Sequence, residues 1–121
     1  MRGTRVVAAI VGIARNLKAH GNSSFRALLD LSGFTGGEIT QKELRDAITA
    51  NSTVVEDWLA YSEDKRVDSG WYFRERAGGY EVGHMGRDGT TTESRRFEQC
   101  EDACAYFIQL EIRSARLRAT S

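Results

Sequence analysis

Apolar residues recur at helical spacing through the first half of the chain and at every second position from Ser69 onward. In "TRVVAAIVGIARNLKAHG", Val6, Ile10, Ile13 and Leu17 fall on one stripe, with Val7 and Ala14 beside it, which predicts a core-facing helix. "GNSSFRALLDLSGF" predicts a second helix, with Ser23 or Ser24 as its N-cap and Phe25, Leu28 and Leu29 as its apolar face. The paired glycines of "FTGGEI" break the pattern. "TQKELRDAITAN" then opens with a capping box, Thr40 to Glu43, and turns Leu44, Ala47 and Ile48 inward. A fourth helix restarts after Asn51 or Ser52 and buries Val54 or Val55, Trp58 and Leu59.

The period then changes to two. Trp71 and Phe73 alternate with Tyr72 and Arg74, and Tyr80, Val82 and His84 alternate with Glu81 and Gly83. "AGG" from Ala77 fits a short hairpin turn, "GRDGT" a looser one, and a third, more polar strand covers Thr91 to Phe97. A closing helix from Glu101 to Arg118 carries Glu101 and Asp102 in its first turn and Arg113, Arg116 and Arg118 toward its end, the order favoured by the helix dipole. Its apolar face is broad (Ala103, Cys104, Phe107, Ile108, Leu110), as for a helix held between a sheet and other helices. These elements predict an α+β fold in one domain over residues 1–121. A helical bundle over 1–66 leads into a three-stranded antiparallel sheet and a long C-terminal helix over 69–121.

Composition narrows the function. The chain of 121 residues has 17 basic and 17 acidic side chains and a formal net charge of zero. Nine of each sign lie up to Asp68 and eight of each after it, so neither half has the basic excess of a nucleic-acid binder. The opening apolar run is followed at once by Arg15 and Lys18 and is shorter than the roughly 20 residues of a membrane span. No membrane partner and a cytoplasmic location are expected. Cys100 and Cys104, four apart on the closing helix, are expected as small hydrophobes in a reducing compartment.

Little in the chain promises reaction chemistry. The sequence lacks GxSxG, HExxH and a phosphate-cradling glycine loop. His20 falls at the end of the first helix, where it interacts most simply with terminal carbonyls, and His84 falls on a strand. "SGFTGGEITQKE" has an EF-hand's turn glycine, Gly37, and closing Glu43. However, Ser32, Phe34 and Gly36 stand where oxygen ligands belong, so no metal is expected. The reading is a protein that is not an enzyme and takes no cofactor.

Two resemblances remain. Thr40, Gln41, Glu43, Leu44, Ile48, Val55 and Trp58 match the helix-turn-helix of phage-repressor-type regulators. Arg45 and Thr49 depart from that pattern, and Glu56 and Asp57 put carboxylates on the would-be recognition helix. A DNA-binding regulator is therefore the alternative reading. "GWYF", "GYEVG", "RRF" and "ACAYFIQLEI", between Gly70 and Ile112, together resemble the C-terminal half of small bacterial immunity proteins from contact-dependent growth inhibition and related polymorphic-toxin systems. That resemblance implies stoichiometric occlusion of a cognate toxin domain.

Two regions are candidate partner contacts. One is the loop after the fourth helix, with Tyr61, Glu63, Asp64, Lys65 and Asp68. The other is the outward face of the sheet, with Tyr72, Arg74, Arg76 and His84. Against a nuclease, the acidic residues would mimic phosphate at a basic cleft. A third expectation is an adaptor that dimerises through the edge of the sheet.

Overall fold

The chain forms α1 (Thr4–Val11), α2 (Ile13–Ala19), α3 (Phe25–Leu31), α4 (Gln41–Ala50), α5 (Val54–Asp64), β1 (Gly70–Arg76), β2 (Gly79–Met85), β3 (Thr91–Phe97) and α6 (Cys100–Thr120). The computed structural model describes residues 4–19, 25–33, 39–64, 70–86, 88 and 90–120, of which 4, 5, 18, 19, 25, 26, 64 and 115–120 enter by their backbone alone. The α+β architecture matches the sequence expectation: helices first, then an antiparallel sheet of order β1-β2-β3, then a long helix. The predicted caps at Ser23 and Ser24, and His20, lie outside the described residues.

The single opening helix of the sequence reading is two helices, separated at Gly12. A buried side chain holds the break: the Trp58 indole Nε1 donates to the Val11 carbonyl at 2.8 Å. A carbonyl that leaves a helical ladder needs a new donor, and the indole supplies it. The apolar stripe survives the interruption, with Val7, Ile10, Val11, Ile13 and Ala14 all buried. Downstream, the capping box forms as predicted. Thr40 Oγ1 accepts from the Glu43 backbone N–H, and Glu43 Oε1 accepts from the Thr40 N–H, both at 3.1 Å.

Helix α6 lies between the sheet and the N-terminal helices, packing on all three strands and on α3, α4 and α5. Ala103, Cys104, Ala105, Phe107 and Ile108 are fully buried along it. Phe107 is the hinge of the core. Its ring meets Trp58 edge-on at 6.1 Å, Tyr61 at 6.1 Å and Phe73 of β1 at 5.7 Å. Polar ties fix α4 against α6: Arg45 Nε reaches Asp102 Oδ1 at 2.8 Å, Gln41 Nε2 donates to the Asp102 carbonyl, and Gln109 Nε2 donates to the Ile39 carbonyl. Arg45, one of the departures from the repressor pattern, thus bridges α4 to α6.

The β1–β2 connection is a two-residue turn, because Arg76 pairs with Gly79. Ala77 (φ 52°) and Gly78 (φ 81°) both have positive φ, the requirement of the type I′ turn that suits the twist of a hairpin.

Candidate partner-binding face

The hairpin register decides which side chains share a face. Directly opposed residues of an antiparallel pair point the same way. The pairs Trp71↔His84, Phe73↔Val82 and Glu75↔Tyr80 therefore belong to one face, and Tyr72↔Gly83, Arg74↔Glu81 and Arg76↔Gly79 to the other. Phe73 and Val82 are buried in the core against α6, so theirs is the inner face. Tyr72, Arg74 and Arg76 do share the outer face, as expected. His84 does not: it stands on the inner side with the Trp71 ring edge-on at 4.9 Å. Counting alternation separately within each strand cannot relate the strands to each other, whereas the two-residue turn does.

At the centre of the outer face is a carboxylate that the sequence reading passed over. Glu81 is 7% exposed and accepts from three partners. Tyr72 Oη donates to its Oε2 at 2.7 Å, Arg74 approaches Oε1 through Nε and Nη2, each at 3.0 Å, and Arg76 Nη1 reaches Oε1 at 3.3 Å. Arg74 also lies over the Tyr72 ring, with its guanidinium carbon 4.9 Å from the ring centre. Beside them on β3, Arg96, which pairs with Glu81 in the register, donates to the Arg76 and Ala77 carbonyls at 3.1 and 3.5 Å.

Glycine makes this arrangement possible. A Cβ on Gly83 would meet Tyr72 Oη at 2.5 Å, Tyr72 Cζ at 2.7 Å and the Glu93 carbonyl oxygen at 2.6 Å. The phenol thus crosses β2 where no side chain stands, and reaches Glu81. Tyr72 is itself buried, 4% exposed, which corrects its expected role as an exposed contact. Burial pushes the Tyr72 phenol above its ordinary pKa, and its bond to Glu81 adds to the rise. Burial also pushes Glu81 upward, but the Tyr72 hydrogen bond and the Arg74 guanidinium outweigh it and hold the carboxyl below the ordinary range. The cluster is therefore a carboxylate, a neutral phenol and guanidinium groups in fixed positions. Arg74, Arg76 and Arg96 against Glu81 leave this face with a local excess of positive charge.

The other expected contact region is partly placed. The Tyr61 ring stacks edge-on against Trp58 at 5.4 Å and packs on Phe107, so it serves the core rather than a free surface. Glu63 is exposed and lines a groove of about 330 Å³ between α5 and β1 with Leu59, Phe73, Arg74 and Glu75. Asp64 closes α5 and is described by its backbone alone, while Lys65 and Asp68 lie outside the described residues. The exposed side of α5 presents Glu56 and Glu63, and Asp57 pairs with Arg15 at 3.0 Å. Carboxylates there oppose docking on phosphate.

His84 Nδ1 lies 3.0 Å from the Thr92 hydroxyl, and Glu93 stands opposite His84 in the register without an ion pair between the two. Both cysteines are free. Burial raises the Cys104 thiol well above its ordinary pKa, and burial with Glu101 raises that of Cys100, so neither favours the nucleophilic thiolate. Among the described residues no group of three His, Cys, Asp or Glu side chains is placed to hold a metal, and residues 34–38 of the EF-hand-like stretch lie outside them. No described helix is long and apolar enough to cross a membrane.

Compared with protein-family models, curated proteins and solved structures, the chain matches none.

Proposed function

We propose that the chain is an immunity protein that captures a cognate toxin domain by stoichiometric occlusion, with the outer face of the sheet as its binding surface. One observation carries this reading. Arg74, Arg76 and Arg96 are held around Glu81 and the turn carbonyls on the sheet face opposite the one that packs Phe73 and Val82 against α6. Arginines fixed before binding lose little rotamer freedom on association, and a planar guanidinium recognises carboxylates with both charge and geometry. A polar face built in this way fits an acidic surface on a folded protein, and complementary charge makes capture fast and selective. Two free cysteines accord with action in the cytoplasm.

The test begins with the neighbouring genes: the reading requires a toxin domain encoded among them, and the lack of one would count against it. Cells producing that domain should regain growth when this protein is co-produced, and the two purified proteins should form a one-to-one complex in calorimetry. Growth arrest that persists despite abundant soluble protein would sink the reading. Binding to duplex DNA with an affinity that falls steeply as salt rises would point instead to the helical pair Thr40–Tyr61.

A further inference from the structure

The two edges of the sheet are finished differently. Along β1, α5 packs against the strand, and the buried Ser62 Oγ accepts the Phe73 backbone N–H at 2.7 Å. Strand β3 pairs only with β2, and its residues Thr91 to Arg96 are all exposed. An edge strand of seven residues without proline presents unpaired backbone groups that another strand can complete.

The side chains of β3 select the strand that fits. Glu93 and Arg95 flank Ser94 and share the inner-face direction, since they pair with His84 and Val82. The Arg95 guanidinium is stacked on aromatic rings, 5.1 Å from the centre of Phe97 and 5.2 Å from that of Tyr106. Stacking occupies the flat face of the group and leaves its N–H edge available for a carboxylate. Glu93 has no ion pair with a described residue.

We infer that β3 pairs antiparallel with β3 of a second copy about a two-fold axis through Ser94, making one continuous six-stranded sheet. About that axis Glu93 of each copy faces Arg95 of the other, twice by symmetry. Neighbouring registers oppose like charges: an axis at Glu93 sets carboxylate against carboxylate, and an axis at Arg95 or Arg96 sets guanidinium against guanidinium. Opposite charges in directly opposed positions stabilise an antiparallel pair and like charges oppose it, so the sequence "ESR" specifies a single self-complementary alignment. The inference is independent of the toxin-binding reading, because the outer-face arginines project from a face of the sheet rather than along its edge.

Sedimentation velocity from about 1 µM to about 1 mM protein spans the range of weak to moderate association. It should show a reversible shift from one chain to two. Glu93→Arg should weaken the association at least tenfold while leaving the circular dichroism spectrum unchanged, and leaving unchanged the Tm measured at concentrations where the wild type is monomeric. The double swap Glu93→Arg/Arg95→Glu should restore most of it, because only the Ser94-centred register brings these two positions together. A wild-type chain that stays monomeric throughout that range overturns the inference. A dimer indifferent to Glu93→Arg, or one that the double swap fails to restore, overturns it equally.

Discussion

The two faces of one sheet are held by different physics. On the inner face, Phe73 and Val82 are buried against α6 by apolar contact, which has no preferred direction and tolerates approximate fit. On the outer face, Tyr72 and Glu81 are nearly as well covered, yet their burial rests on directed bonds: phenol to carboxylate, and carboxylate to two guanidiniums. The inner face makes the protein fold. The outer face fixes a set of charges in space around one buried carboxylate.

This contrast can be broken from either side. The largest effect belongs to the inner face. Phe107→Ala removes the ring that joins Trp58, Tyr61 and Phe73, and should cost about 3–5 kcal/mol in urea unfolding. Next comes Gly83→Ala, which places a methyl against the Tyr72 ring and the Glu93 carbonyl and should cost up to about 3 kcal/mol. In a double-mutant cycle Gly83→Ala should cost less in a Tyr72→Ala background than in the wild type, yet still something, because the clash with the β3 backbone remains. No cost at all in that background would mean that the phenol alone requires the glycine.

Glu81→Gln should cost about 1–2 kcal/mol near neutral pH, by weakening the pairing with Arg74 and Arg76. The sign with pH follows from the depressed Glu81 pKa. Its stabilisation is present above the ordinary glutamate range and is lost as pH falls through the lower folded value. The gap between wild type and Glu81→Gln should therefore close on acidification, and a gap constant from pH 7 to the acid limit would contradict the cluster's ionic character. The smallest effect is a gain. Ala77 occupies a positive-φ turn position that asparagine tolerates better, so Ala77→Asn should raise stability by about 0.5–1 kcal/mol, read as an upward shift in Tm.

The sequence carried the inner face well and the outer face poorly. Helical periodicity located the core of α4 and α6 and the capping box at Thr40, because burial and capping are local in sequence. The break at Gly12 was not legible, since the donor that holds it, Trp58, lies 47 residues away. Alternation within each strand does not place His84 on its true face, because it carries no register between the strands. Once "AGG" is read as a two-residue turn at Ala77 and Gly78, opposition of Arg76 and Gly79 follows, and with it Trp71 opposite His84 and Arg74 opposite Glu81. Glu81 had that one available signal, a lone acid directly across from an arginine on the solvent-facing alternation. Ser62 had none, because its role depends on how α5 meets the edge of β1.

The central claim is that the arginines of the outer face make the partner contact. Calorimetry of Arg74→Glu/Arg76→Glu/Arg96→Glu against the cognate toxin domain that the proposed function requires tests it most directly, with circular dichroism to verify the fold. Loss of affinity by at least about 100-fold, the scale of two or more buried charge contacts, is the predicted result. An affinity equal to that of the wild type, in a variant that remains folded, would contradict the account.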